Sequence, residues 1–226
     1  MLTFVASAGA AFGEDHEDAE RGRELFENAC ANCHGSSGEG SRLGPSLAGS
    51  GAAGVDFMLS TGRMPLDDPL NQPVRKPPAF DRKQIAQITK YVASLGTGPE
   101  IPDVDPTSGD LAAGQELYAA NCAACHSSAG TGGAVGAGLE APPLHKATPV
   151  EIVEAMRFGP GTMPVFDPQS LSEEEANSIT RYLLYLRDLP DAGGWGLGRV
   201  GPIAEGLVAW LVAMGGVLLI CRWIGE

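Results

Sequence analysis

The apolar positions of this chain fall into a helical rhythm that is written twice. Over residues 19–30, Gly22, Leu25, Phe26 and Ala29 stand at i, i+3, i+4 and i+7, one stripe of an amphipathic helix. The same lettering returns over residues 111–122, where Gly114 matches Gly22, Leu117 matches Leu25 and Tyr118 matches Phe26, all at an offset of 92. This is an internal duplication. It continues with looser spacing. Gly44-Pro45-Ser46-Leu47 answers Ala141-Pro142-Pro143-Leu144, and Arg63-Met64-Pro65 answers Thr162-Met163-Pro164. Ile88-Thr89-Lys90-Tyr91-Val92 answers Ile179-Thr180-Arg181-Tyr182-Leu183. Each copy is expected to end in a closing helix, over residues 81–95 and 172–189. The second opens on Ser172-Glu173-Glu174-Glu175, a capping-box signature with acids in the first turn.

Between the copies, the stretch up to Asp110 is rich in Pro, Gly and acid and reads as a linker. After Pro190 comes a glycine-rich spacer containing Trp195. Residues 203–220 then run 18 positions with a single charge, Glu205, near the start. That is the minimal length of a transmembrane helix. Arg222 and Trp223 follow it, and one basic residue after the span puts the C-terminus on the cytoplasmic side. At the other end, residues 1–13 are apolar or small without Lys or Arg, shorter than a secretory signal. Ala6-Ser7-Ala8 and Ala8-Gly9-Ala10 resemble cleavage sites, so the expectation is the remnant of an export signal or anchor. Residues 14–20 are read as a solvated acidic lead-in. The expected organisation is 1–18 lead-in, 19–98 first repeat, 99–110 linker, 111–190 second repeat, 191–202 spacer, 203–221 span and 222–226 cytoplasmic tail.

Cysteine changes the picture most. Each repeat carries Cys-x-x-Cys-His, as Cys30, Cys33 and His34 and again as Cys122, Cys125 and His126. This is the attachment signal of c-type haem. Cysteines one helical turn apart reach the two vinyl groups of one porphyrin, and the adjacent histidine ligates iron from the proximal side. Two zinc knuckles around one ion would use the cysteines alone, and a thioredoxin pair would follow a strand. Here each pair has its own histidine, and no β-α-β pattern surrounds it. Two covalently bound haem c groups are therefore expected. Four of the five cysteines are used, which leaves no disulfide framework. Cys221 remains as a thiol inside the apolar run.

The net charge of −13, with only 15 basic residues, argues against nucleic acid as a partner. With Gly at 31 and Pro at 17, the chain is loop-rich, and a covalent porphyrin can serve as core for each small unit. Pro45 and Pro142 stand where a loop carbonyl could orient each imidazole, a plain turn proline being the competing account. For the sixth iron ligands, Met64 lies 30 residues after His34 and Met163 lies 37 after His126, both before a proline. Met58, Met156 and His145 compete, the two methionines as core filler in short helices, and His145 without a counterpart in the first copy. His/Met ligation would fill both axial positions and raise the potential, leaving electron transfer as the chemistry.

The order Cys-x-x-Cys-His, Pro, Met-Pro and closing helix resembles class I cytochrome c domains over residues 19–189. Two such domains before one span, with Gly201-Pro202-Ile203-Ala204-Glu205-Gly206 and the ending Cys221-Arg222-Trp223-Ile224-Gly225, look like the dihaem cytochrome c subunit of the actinobacterial cytochrome bcc complex. The resemblance implies an all-α fold of two tandem domains plus a C-terminal helix. It also implies a menaquinol-oxidising assembly with a cytochrome b subunit, a Rieske iron–sulfur protein and haem-copper oxidase subunits as partners. Electrons would pass from the Rieske protein to the first domain and from the second to the oxidase. A cytochrome subunit of a periplasmic dehydrogenase and a dihaem peroxidase are the alternatives. The second would need an iron with a displaceable ligand.

Overall fold

The computed structural model describes residues 8–188 and 202–225. Residues 1–7 of the expected export remnant, and residues 189–201 with most of the expected spacer and Trp195, lie outside the described residues. Two units are present, residues 1–187 and 188–226.

The first unit holds both repeats, and each repeat is framed by a crossing of its first and last helices. In the first repeat, α1 (Ala8–Ala29) packs on α4 (Arg82–Ala93). Gly22 sits at the crossing, where a Cβ would collide with the carbonyl oxygen of Gln87. The absent side chain lets the backbones touch. One turn on, the rings of Phe26 and Tyr91 meet with centroids 5.4 Å apart. In the second repeat, α5 (Leu111–Asn121) packs on α8 (Glu173–Arg187). A Cβ on Gly114 would collide with Ser178 O, and the rings of Tyr118 and Tyr182 lie 5.6 Å apart. The duplicated stripes are thus duplicated contacts.

Single turns α2 (Ala31–His34) and α6 (Ala123–His126) follow the first helix of each repeat. Helices α3 (Gly51–Ser60) and α7 (Pro149–Phe158) close the apolar clusters from the other side. Polar side chains start the helices. Asp81 with Gln84 and Thr148 with Glu151 form reciprocal capping boxes, and Ser172 exchanges the same bonds with Glu175. Only the last was read from the sequence.

Two features depart from the expected plan. Helix α1 begins at Ala8, so the acidic stretch 14–20 is helical and not a separate lead-in. Its residues contain no breaker, Arg23 bridges Glu20 and Glu27 at 2.9 and 3.4 Å, and Asp18 accepts a hydrogen bond from Gln87 Nε2 at 2.7 Å. The second departure is an antiparallel hairpin, β1 (Gly133–Gly136) with β2 (Leu139–Ala141). Ala137 and Gly138 make its turn with φ of 51° and 77°. Among the described residues the regular elements are otherwise helices.

The linker is fastened at both ends. Pro99 O accepts from Ala53 N at 3.0 Å, on the first repeat. On the second, Arg181 Nη1 donates to Gly109 O at 2.6 Å, and Asp110 N donates to Ser178 Oγ at 2.9 Å. The repeats also meet directly through α3 and α7. There Arg75 pairs with Glu151 at 2.6 Å, and the Phe158 ring fills the space that a side chain at Gly54 would need. Gln72 exchanges two hydrogen bonds, 2.7 and 3.0 Å, with the backbone of Glu140 on β2.

The second unit is α9 (Pro202–Ile224), whose stretch Gly206–Gly225 has 20 residues with mean hydropathy 2.1. Trp210, Leu219 and Trp223 are exposed. This is a candidate membrane span at the place the apolar run predicts.

Candidate haem centres

Each Cys-x-x-Cys-His stretch is a tight helical turn hung on the end of a longer helix. Cys30 N donates to Phe26 O at 2.8 Å, and Cys30 O accepts from Cys33 N at 3.1 Å and His34 N at 3.0 Å. In the second repeat, Cys122 N donates to Tyr118 O at 2.9 Å, and Cys122 O accepts from Cys125 N at 3.2 Å and His126 N at 2.9 Å. The cysteines of a pair are therefore one turn apart, as their spacing implies.

Both histidines are buried. His34 Nδ1 lies 2.8 Å from Pro45 O, and His126 Nδ1 lies 3.0 Å from Pro142 O. A carbonyl only accepts, so Nδ1 carries the proton in each ring and Nε2 keeps its lone pair. That is the tautomer a metal at Nε2 requires, and the carbonyl fixes the ring's direction. The chain is close to the ring on this side: a Cβ at Gly44 would stand 3.0 Å from His34 Nδ1. Burial holds His126 below the usual histidine range, against the opposing pull of the Pro142 carbonyl.

After each histidine the chain turns through left-handed backbone, at Gly35 with φ 82° and at Ser127 with φ 62°. Ser127 is held there by Thr131, whose Oγ1 is 2.7 Å from Ser127 Oγ. Tyr118 Oη donates to Ser127 O at 2.6 Å. Phe26, its counterpart, has no hydroxyl to do this.

The methionines converge on the same apolar clusters as the first cysteines. Cys30 and Met64 both pack against the cluster containing Phe26, Val55, Leu59 and Ile88. Cys122 and Met163 both pack against the cluster containing Tyr118, Ile152, Met156 and Ile179. The segment of Met64 is held by Met64 N to Met58 O at 3.0 Å, Lys76 N to Thr61 O at 3.2 Å and Lys76 Nζ to Pro65 O at 2.9 Å. The segment of Met163 is held by Arg157, whose Nη1 donates to Phe166 O at 2.9 Å and Leu171 O at 2.6 Å. Of the competing ligands, Met156 is a core residue and Met58 is half-buried on α3. His145 lies with Nε2 2.7 Å from Ala129 O.

These donors suit a covalent porphyrin. Burial pushes the Cys30 and Cys122 thiols up to about 11, and each pair's histidine keeps at Nε2 the lone pair that a haem iron would take. Among the described residues no three His, Cys, Asp or Glu side chains converge as a metal cluster, which a zinc ion shared by the two knuckles would need. The roles of Tyr118 and Arg157 were not visible in the sequence. Both act on backbone carbonyls that only folding brings near.

The comparisons with known proteins follow the same division of the chain. Residues 19–96 match the family model "Cytochrome c", and residues 109–183 match "Cytochrome C oxidase, cbb3-type, subunit III". A "Cytochrome bc1 complex cytochrome c subunit" of Corynebacterium diphtheriae is 35% identical over 245 residues, covering 100% of this chain and 86% of the relative. The chain belongs to that family.

A further bc1 complex cytochrome c subunit, from Mycobacterium bovis, is 39% identical over 213 residues, covering 90% of this chain and 76% of the relative. A cbb3-type cytochrome c oxidase subunit CcoP of Azospirillum is 33% identical over 188 residues, covering 72% of this chain and 60% of that protein. Membership of the bc1 subunit family makes this an electron-transfer chain with two cytochrome c domains, which imply covalently bound haem c. Its C-terminal helix is the candidate anchor.

Proposed function

We propose that this chain is a membrane-anchored dihaem relay in a menaquinol-oxidising respiratory complex. It takes electrons from a Rieske iron–sulfur protein and delivers them to a haem-copper oxidase. A cytochrome b subunit completes the assembly, so the chain is the electron-carrying part of a quinol–cytochrome c reductase without substrate chemistry of its own. Cys30 and Cys33 would attach one haem and Cys122 and Cys125 the other. His34 with Met64 would hold one iron, and His126 with Met163 the other. A bound haem would supply a one-electron couple, and an iron held by both residues of its pair would have no site left for oxygen or peroxide. The chain's own residues do the rest: the carbonyls of Pro45 and Pro142 orient the imidazoles, and the apolar clusters exclude water.

The observation that carries this reading is the repeated arrangement of a buried, Nδ1-tied histidine with a methionine and a cysteine on one apolar cluster. It favours saturated iron, and so electron transfer, over the peroxidase alternative. The anchor keeps the carrier beside its partners and raises its effective concentration. Haem domains on the extracytoplasmic side and a cytoplasmic C-terminus agree with Arg222 following the span. The expected organisation, 19–98 and 111–190 as domains joined by 99–110, is part of the proposal.

Carbon monoxide tests the ligands. The reduced native protein should not bind it, and Met64→Leu and Met163→Leu should each open one haem to it. Binding by the native protein would revive the enzyme alternative, and inert variants would overturn the methionine assignment. Purification from native membranes in mild detergent tests the partners. Recovery with a dehydrogenase in place of cytochrome b, Rieske and oxidase subunits would discard the complex.

A further inference from the structure

The junction of the two repeats contains a pair of acids that neither haem centre uses. Asp56 projects from α3 and Glu154 from α7, where these helices pack together. Glu154 is fully buried at 0% exposure, and neither of its carboxylate oxygens has a hydrogen-bond donor. Ser60 Oγ, also without a partner, lines the same cleft of about 330 Å³.

Other charged groups surround the pair. Glu151, on the same helix, is taken by Arg75 at 2.6 Å and caps Thr148 N at 2.8 Å. Arg63 stacks over Phe57 at 4.7 Å, repelled by Arg75 and attracted by Glu151, and its buried Nη1 has no hydrogen-bond partner. Arg82 of α4 lines the cleft from its exposed side. The two carboxyls stand within hydrogen-bonding reach of each other. Both are acceptors when ionised. Two bare carboxylates cannot face each other in a buried site, whereas one proton between them turns repulsion into a strong hydrogen bond.

We propose that Asp56 and Glu154 share a single proton that latches the two repeats together at the α3–α7 junction. Opening the junction exposes both carboxyls to water, where each ionises in the ordinary range near pH 4. The closed junction keeps its proton much higher, because burial and Asp56 push Glu154 up to about 9. The sign follows. Well below about pH 4 both carboxyls are protonated in the open state too, and the latch no longer varies with pH. Between about pH 4.5 and about pH 9 the closed form holds one more proton, so its equilibrium constant falls about tenfold per pH unit. Above that it is flat. The latch is a property of the polypeptide junction and does not depend on which residues ligate iron.

The test uses the full-length, haem-loaded chain in detergent. Infrared spectra at pH 7 should contain the carbonyl stretch of a protonated carboxyl, lost above about pH 9 and absent in Glu154→Gln. Hydrogen exchange of α3 and α7, corrected for intrinsic chemistry, should lose about 100-fold of its protection between pH 6 and pH 8 in the native chain. It should stay flat in Glu154→Gln, whose amide donates to Asp56 at any pH. Asp56→Asn should behave alike and carries the test if Glu154→Gln fails to accumulate. A protonated-carboxyl band that survives both substitutions, or protection that falls equally in native and variant chains, overturns the latch. So does loss of protection at pH 7 on adding a chelator, which would put a divalent cation between the acids.

Discussion

In the first repeat the segment bearing Met64 is held from outside, by a lysine. Lys76 reaches Pro65 O from a side chain that is 35% exposed and also pairs with the exposed Asp67 at 3.6 Å. In the second repeat the segment bearing Met163 is held from beneath, by an arginine with a side chain 4% exposed. Arg157 binds two carbonyls and ends on Glu173 at 2.8 Å, at the start of the closing helix. The helix crossings stayed alike after duplication, and the fastening of the methionine loops did not. A crossing where two backbones touch tolerates only glycine, so it has one solution. A loop carbonyl can be satisfied by any donor that reaches it, from either side. The difference separates what the domain geometry dictates from what each copy was free to change.

The strongest way to test that separation is at the crossings. Gly22→Val and Gly114→Val should each cost about 3 kcal/mol or more, because the new side chain meets backbone that cannot move aside. Calorimetry should show similar losses at the two sites, and a mild effect at either would mean that the crossing is not the shared constraint. Next come the fastenings. Arg157→Met should cost about 3 kcal/mol, since it strands buried carbonyls and removes a buried cation from its partners. Lys76→Met should cost less than about 1 kcal/mol, because water replaces an exposed ammonium. Denaturation by guanidinium, with the haem absorbance of each repeat as the probe, would check the ordering; equal costs would erase the distinction. Tyr118→Phe should likewise cost only about 1 kcal/mol, for the one hydrogen bond to Ser127 O. Differential scanning of that variant should find the loss confined to the second repeat.

The sequence was informative wherever a contact is local or repeated. The stripes through Gly22 and Gly114 predicted α1 and α5, and the pentapeptides placed cysteine and histidine on one turn because the spacing is itself helical. The apolar run predicted α9 by length and composition alone. The hairpin was not legible, because its turn is Ala137-Gly138, without the Asn-Gly or Asp-Gly that usually marks such a turn. The helical character of residues 14–20 was also missed. Acidic residues read as solvated, and the bond from Gln87 to Asp18 spans most of a repeat. The junction was out of reach for the same reason. Asp56 and Glu154 look like two ordinary surface acids of two short helices until α3 and α7 are packed together.

The anchored linker has a kinetic consequence. Between Pro99, bound to the first repeat, and Val104, packed on the core of the second, the chain makes five Cα-to-Cα steps. Fully stretched, that leash spans about 17 Å. With the junction closed, electron exchange between the repeats should follow one first-order rate, because donor and acceptor keep one separation. With it open, the separation varies and so does the rate, but the leash bounds how far the two can part and so how slow the exchange becomes.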